Sequence, residues 1–380
     1  MELASRVYDT ITNPEYRNDT IDNFFSDKFD HTDNRHYWRR IIRMAALCHD
    51  LGHLPFSHGA EKELLPNGWN HEKITNQLIF SEQMKEIWEE LAIPLKPIDI
   101  AKIAIGPQEF AKSPLSDWEA ILSEILTNGS FGVDRMDYLL RDSHHLGVAY
   151  GNFDHYRLID SIRILPPPAE PNKEHSKETT LGIEKGGIQS AEALILARYF
   201  MFSQVYFHRV RRIYDIHLRD FLKNWLIDGV FSIKVNEFLE LTDNEIFSAM
   251  HVACIDPKNK SHTYAKRIIH RNHFKRIYEK DPNDDKINSN AIYVIYEKMK
   301  EKFGDESIKI DIESPKKMDY DFSVLRNDTN KVVSSLSLSH TLQHIPPANI
   351  GYIFVDPTIF SEVKNWLKFN KEDIIRGGEE

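Results

Sequence analysis

The chain is 380 residues long, with 41% hydrophobic and 28% charged residues, the balance of a soluble globular protein with room for one large domain and a smaller one. No run of about 18 apolar residues occurs, which excludes a helical membrane span, and two cysteines, Cys48 and Cys254, give no disulfide framework and fit a reducing cytoplasm. The net charge of −10 argues against an extended nucleic-acid surface, although a pocket in an acidic protein can still gather cations around a small phosphorylated substrate.

The N-terminal "MELASRVYDTI" carries Glu2 and Asp9 and has no apolar core, so it reads as an amphipathic helix over 1–12 and not as a signal peptide. A second helix is expected over 37–49, where Ile41, Ile42, Met44, Ala45, Leu47 and Cys48 follow helical spacing until Gly52 and Pro55 break it. Another opens at His71 after the "PNGWN" turn, one covers 117–127, and after "NGSFG" one resumes over 133–141. "SIRILPPPAEPNKEHSKETTLGIEK" reads as two short strands flanking a loop, because Pro166, Pro167 and Pro168 exclude helix. Residues 188–225 read as one long helix, apolar enough to be central and buried. Beyond Asp256 a helical "YAKRIIHRNHFKRIY" gives way to strand-like "SIKIDI", "YDFSVL", "KVVSSLSL" and "IGYIFVD", then a closing helix from about Thr358. The expected class is therefore mainly α, a helical core over 1–256 with a smaller C-terminal α/β region over 257–380.

Chemistry concentrates in "RMAALCHDLGHLPFSHG". His49 and Asp50, adjacent at a helix end, offer one imidazole nitrogen and one carboxylate oxygen to the same ion, a pairing suited to Mn, Fe, Co or Zn and less to Mg. His53 lies one turn beyond His49, and His58 follows a tight "LPFS" bend. His71 and Glu72 open a helix whose positive end favours a phosphate oxygen. Taken singly, each is a capping or surface residue. Four histidines and an aspartate between residues 49 and 71 point to a shared site.

A second constellation lies in "NGSFGVDRMDYLLRDSHHLG". On a helix, Asp134, Tyr138 and Asp142 fall at i, i+4 and i+8 as a polar stripe, with Val133, Met136 and Leu140 on another side. In isolation this is a solvated acidic face. Read with the histidine segment, a carboxylate among apolar helices calls for a cation, and Asp134 becomes a distant metal ligand.

"LCHDLGHLPFSH", "NHE" and "VDRMDYLLRDSHHLG", in this order, resemble the HD-domain metal-dependent phosphohydrolases, and more narrowly the branch of deoxynucleoside triphosphate triphosphohydrolases. With "YAKRIIHRNHFKRIY" the likeness extends over roughly residues 1–280. It implies an HD-domain helical core in which His49, Asp50 and Asp134 are metal ligands. His53, His58 and His71 would contact phosphate or donate protons, with Glu72 as orienting partner. Tyr138 and Asp142 would meet the sugar, and Arg135 would reach toward phosphate. Gln204 and His208 would form an i, i+4 pair, with Arg211 or Arg212 a turn further. The resemblance also implies a divalent metal cofactor, a nucleotide substrate and a homo-oligomer in the cytoplasm.

Two departures stand out. The family's first histidine sits in a turn that here would fall just upstream of Met1, so an N-terminally shortened form lacking one ligand is expected. His31 and His36 are the other histidines ahead of the motif; His36 would stand about 20 Å from His49 along a helix, too far to share an ion. Relatives that hydrolyse dNTPs also place an arginine one turn before the position aligned with His208, where this chain has Gln204.

Elsewhere the bland readings are preferred. Cys48 is a small buried hydrophobe rather than a ligand, "YFMFSQVYF" is core rather than a base-stacking platform, and "RVRR" either serves phosphate or pairs with Asp215 and Asp220. The leading function is hydrolysis of a phosphoester in a nucleotide, plausibly a dNTP. The alternatives are a nucleotide-binding sensor or assembly protein with an impaired site, and an HD-type phosphodiesterase or nuclease.

Overall fold

The computed structural model describes residues 1–16, 32–59, 61–91, 93–110, 113–168, 179–313 and 320–377. Among them helices dominate, and seven strands form two small sheets, so the mainly α class holds. The strands are β1 (Ile162–Leu165), β2 (Thr180–Glu184), β3 (Lys275–Glu279), β4 (Ile308–Glu313), β5 (Ser323–Arg326), β6 (Lys331–Ser334) and β7 (Ile350–Val355). The chain divides into two compact units, and neither is continuous in sequence.

The first unit comprises Met1–His53, Trp69–Met201 and Lys317–Pro346. Its N-terminal helix, Glu2–Ile11, buries Ala4, Val7, Tyr8 and Ile11. Tyr8 stacks edge-on against Trp118 and donates its hydroxyl to the Arg35 carbonyl on the Thr32–Cys48 helix. The central element is Pro97–Ile105, a short helix with proline at its start and Ile100, Ala101, Ile103, Ala104 and Ile105 buried. It packs against the Thr32–Cys48, His71–Ile79 and Asp117–Thr127 helices. Lys102 ion-pairs with Glu119 at 3.0 Å, and Glu119 also completes a capping box with Ser116.

The sheet order in this unit is β1-β2-β5-β6, with β1 and β2 antiparallel, β2 and β5 parallel, and β5 and β6 antiparallel. Gly182 permits the β2–β5 approach, since a Cβ there would stand 2.4 Å from the Ser323 carbonyl oxygen. Glu124 ties the Asp117–Thr127 helix to β2 by accepting the Thr180 hydroxyl at 2.8 Å and the Leu181 N–H at 2.7 Å. Burial raises its carboxyl above the ordinary range despite those two donors.

The second unit comprises Leu54–Gly68, Phe202–Lys316 and Pro347–Glu380. Its sheet runs β3-β7-β4, all antiparallel. Ile292, Ile295 and Met299 of the Ala291–Phe303 helix pack with Ile308, Ile353, Val363 and Leu367 to form one core. Ile213 and Ile216 of the Arg209–Trp225 helix pack with Phe274, Tyr352 and Phe354 to form another.

Two expectations are corrected. Residues 188–225 are not one helix. Ile188–Met201 is α-helical, Phe202–Tyr206 is a π turn, and His208 is extended (φ −61°, ψ 131°) and caps Arg209–Trp225 by accepting the Val210 N–H at its Nδ1. The wider π turn lets the Phe202 ring meet Tyr206 and Phe207 edge-on, at 5.1 and 5.3 Å between centroids. Likewise "YAKRIIHRNHFKRIY" is helical only as far as Ile269; its second half becomes β3, paired to β7.

Candidate metal centre

The Thr32–Cys48 helix ends in a turn that carries His49, Asp50 and His53. Gly52 lets this turn lie against the start of the His71–Ile79 helix: a Cβ there would be 2.1 Å from the His71 carbonyl oxygen and 2.4 Å from the Thr75 nitrogen. Thr75 then clasps the turn from the helix side. Its Oγ1 accepts the Gly52 N–H at 2.9 Å and donates to the His49 carbonyl at 3.2 Å, and Thr75 is fully buried. Asn70 caps that helix by accepting the Lys73 N–H at 2.9 Å, and its amide donates to Glu72 at 3.2 Å. His71 is thereby fixed beside His53, ring on ring, with centroids 4.2 Å apart and planes 14° from parallel.

Opposite them stands the Val133–Leu146 helix. Its approach is set by the "NGSFG" turn, where a Cβ on Gly132 would meet the Leu126 carbonyl oxygen at 2.5 Å. Asp134, in its first turn, brings Oδ1 to 3.3 Å from His49 Nε2 across 85 residues of sequence. Asp50 Oδ2 reaches the same nitrogen at 3.3 Å, while Asp50 Oδ1 lies 3.4 Å from His53 Nε2. His49 Nδ1 donates to the Ala46 carbonyl at 3.2 Å, which aims Nε2 at the two carboxylates.

The charges follow from this geometry. Burial alone would lower the His49 pKa, but the hydrogen bond to Asp134, the Asp50 and Asp134 charges and the Ala46 carbonyl outweigh it, and the net shift is upward. Burial likewise opposes ionisation of Asp50, yet the hydrogen bond from His53 and the neighbouring imidazoles hold its carboxyl below the usual range.

His49, Asp50 and Asp134 each offer a ligand atom within 4.8 Å of the others, and so do Asp50, His53 and His71. At ligand distances of about 2.1 Å, adjacent ligands of one ion stand about 3.0 Å apart in octahedral and about 3.4 Å apart in tetrahedral geometry. The observed 3.3 Å separations fit that range. One imidazole with two carboxylates is a donor set for divalent first-row ions.

Next along the Val133–Leu146 helix, Arg135 donates to the Gly129 carbonyl and hydrogen-bonds Tyr138. Its guanidinium is destabilised by burial and by the nearby charge of Arg198 on the Ile188–Met201 helix. Arg198 and Arg135 also bear on Tyr320, whose phenol burial pushes up. Two arginines close together concentrate positive charge here. Asp134, Tyr138 and Asp142 share one face of this helix, all half-buried, as the i, i+4, i+8 spacing required.

Not every expected residue is part of this cluster. His58 falls in the second unit, in a short 3-10 turn after the "LPFS" bend, where Phe56 (φ 61°) and Ser57 (φ 54°) are left-handed; its side chain lies outside the described residues, as does His31. Gln204, His208 and Arg211 also belong to the second unit. There Arg211 donates to the Tyr206 carbonyl at 2.7 Å and pairs with Asp215 at 3.3 Å, while Arg212 pairs with Asp311 through two 2.7 Å bonds. Pairing with acids, one of the two readings of "RVRR", is what these arginines do. Gln204 and His208 do not form a helical i, i+4 pair, because the π turn intervenes. Cys48 is buried, and that burial pushes its thiol up to about 11, as suits a packing residue. The sequence reading missed Arg198, Thr75 and Tyr320. For Arg198 a signal existed: it is the lone cation within an apolar helix, and a charge held among apolar neighbours demands a partner.

Comparison with known proteins identifies similar chains. Residues 153–342, half of the chain, match the family model described as an HD associated region. The Bacillus subtilis protein YwfO is 33% identical over 48% of this chain and 37% of its own. A putative HD domain-containing protein of Acanthamoeba polyphaga mimivirus is 30% identical over 64% of this chain and 54% of its own. Human deoxynucleoside triphosphate triphosphohydrolase SAMHD1 is 31% identical over 63% of this chain and 42% of its own. The matches thus span about half or less of these relatives' lengths. A crystal structure of a hypothetical protein from Aquifex aeolicus superposes with a TM-score of 0.73 at 28% identity, over 96% of this chain and 84% of that one.

Proposed function

The chain belongs to the HD-domain family that carries the HD-associated region, and on that premise we propose that it is a metal-dependent phosphohydrolase acting on a nucleotide, with a deoxynucleoside triphosphate as the favoured substrate. One observation carries the reading: the imidazole of His49 meets the carboxylates of Asp50 and Asp134, which come from segments far apart in sequence, at ligand–ligand separations of 3.3 Å. The relationship to a deoxynucleoside triphosphate triphosphohydrolase supports the choice of substrate.

His49, Asp50 and Asp134 would hold the divalent ion, and Mn, Fe, Co and Zn suit the donors better than Mg. Such an ion supplies positive charge to a phosphoryl oxygen and acidifies a water. The chain's own groups do the rest. Arg135 and Arg198 stand on the Asp134 side, where they neutralise phosphate charge. His53 and His71 serve phosphate on the Asp50 side. Tyr138 and Asp142, one and two turns beyond Asp134, would meet the sugar, with a flat ring to pack against it and a carboxylate to accept its hydroxyl. Hydrolysis at the innermost phosphate would release the deoxynucleoside and triphosphate.

The test is to incubate the chain with each deoxynucleoside triphosphate in Mn, Co, Fe, Mg and Zn and to resolve products by chromatography. Deoxynucleoside and triphosphate are expected. Absence of turnover with every metal and every nucleotide would sink the proposal.

A further inference from the structure

The bend that follows His53 carries a phenylalanine where its backbone calls for glycine. Leu54–Ser57 closes with the Ser57 N–H donating to the Leu54 carbonyl at 2.8 Å, with Pro55 second and Phe56 third at φ 61°. Proline second and positive φ third is the type II pattern, whose third place belongs to glycine or asparagine. A bulky side chain there is a genuine outlier, and Ser57 follows it at φ 54°. No other two adjacent non-glycine residues among the described ones are both left-handed. Such strain persists only where the surroundings over-determine it, and it collects at active sites and ligand clamps.

The surroundings here are the Asp243–Ile255 helix. Asp243 Oδ1 accepts the Phe56 N–H at 3.0 Å across 187 residues of sequence. One turn further on, the Phe247 ring meets the Phe56 ring edge-on, at 5.1 Å between centroids. All of these residues lie in the second unit. Glycine would relieve the strain, but it has no ring to meet Phe247. At its other end the bend runs into Ser57–Gly59 and rests on the Arg209–Trp225 helix, where a Cβ on Gly59 would stand 3.2 Å from Asp215 Oδ1. The chain enters the bend from His53, which faces Asp50, and leaves it through His58. We propose that Asp243 and Phe247 are positioning residues for the reaction: they hold the Phe56–Ser57 bend in its left-handed form and so fix where His53 and His58 stand. The inference rests on the phosphohydrolase reading above and deepens it, because the strain of the bend then serves to place both histidines. The helix has a fastening of its own. Thr242 and Glu245 form a capping box at its start, so the Asp243 carboxylate is not needed as its cap. Phe247 is exposed, so its removal leaves the core intact.

The test compares variants of the full chain, read by steady-state kinetics with nucleotide and by the imidazole NMR resonances of His53 and His58 with no paramagnetic ion added. Asp243→Ala and Phe247→Ala should each lower kcat by about 10–100-fold, the cost of a misplacement of about 1 Å, with KM close to that of the unaltered chain. Both should shift the two histidine resonances. Asp243→Asn keeps an oxygen for the Phe56 N–H and should recover most of the rate. Thr242→Val loosens the same helix end without touching Phe56; it should lower the urea midpoint while leaving kcat and both resonances in place. Unchanged kcat or unmoved resonances in Asp243→Ala and Phe247→Ala, or an equal loss in Thr242→Val, overturns the assignment. If the unaltered chain turns over no nucleotide, the phosphohydrolase reading fails while the resonances still decide whether this helix holds the bend. Turnover with resonances indifferent to Asp243 and Phe247 leaves that reading standing and removes this inference.

Discussion

Gly52 carries no chemistry, yet the centre depends on it, and Gly52→Ala shows by how much. A Cβ at this position would lie 2.1 Å from the His71 carbonyl oxygen and 2.4 Å from the Thr75 nitrogen. Real Cβ atoms do not come within 3.0 Å of such neighbours, so the turn and the His71–Ile79 helix must part by about 1 Å, an overpacking of backbone against backbone that costs about 3 kcal/mol. Gly52 is not at positive φ, so alanine also restricts the unfolded chain, which returns up to about 1 kcal/mol. The net loss is roughly 2 kcal/mol, read as a lower urea midpoint in the metal-free protein. The same 1 Å separates His71 from His53 and Asp50, and a displacement of that size costs on the order of 100-fold in rate. Mn affinity and nucleotide turnover should fall together in the portion of the protein that remains folded. A variant that unfolds at the original midpoint and binds Mn as before would refute the reasoning.

Thr75→Val leaves the buried Gly52 N–H without an acceptor and should cost about 1–3 kcal/mol in urea unfolding, whereas Thr75→Ser should stay close to the original. Arg198→Met should lower kcat/KM for nucleotide by about 10–100-fold, the effect of losing a charge-assisted contact. Because the change also relieves repulsion on Arg135, the melting temperature should hold or rise; a fall in melting temperature with activity intact would assign Arg198 a structural role instead. His217 is fully buried, accepts the Phe274 N–H at 3.1 Å, and has its pKa pushed down by burial to about 3. Above pH 6.5 the native and unfolded chains are both neutral at this group. Below it the unfolded chain takes up a proton that the native chain refuses until about pH 3, so stability declines as the pH falls through that window. Between about pH 6 and 4.5 this one group removes about 2 kcal/mol, a loss that should be missing from the urea-unfolding pH profile of His217→Gln.

What the sequence disclosed of the fold was the part governed by local periodicity and punctuation. The helices opening at Glu2, His71, Asp117 and Val133 start where caps, glycines and apolar spacing put them. The misreadings arose where distant partners decide. Lys275–Glu279 has an alternation that suits either a helix tail or a strand, and only pairing with β7 settles it. The near-continuous apolar run from Ile188 hid the π turn at Phe202–Tyr206, because periodicity is uninformative when both faces are apolar. Strands β5 and β6, read as part of a C-terminal region, extend the sheet of β1 and β2, a long-range parallel pairing that no local signal announces.

The centre was more legible than the fold, for a physical reason. Divalent ions constrain residue type as well as position, so histidine and aspartate must appear in the text, and the density of them between His49 and His71 stands out from composition alone. Convergence with Asp134 could be inferred because a carboxylate on a helix that carries Val133, Met136 and Leu140 on another side needs a counter-charge, and the geometry supplies it at 3.3 Å. The supporting groups were opaque for the opposite reason. Thr75 and Gly52 act through a hydroxyl and through the lack of a side chain, features that many threonines and glycines share, and they acquire meaning only once two segments are in contact. The same reasoning separates the two sides of Asp50. His53 and His71 were visible as histidines in sequence, but that Asp50 Oδ2 faces His49 and Oδ1 faces His53 is a property of the folded turn.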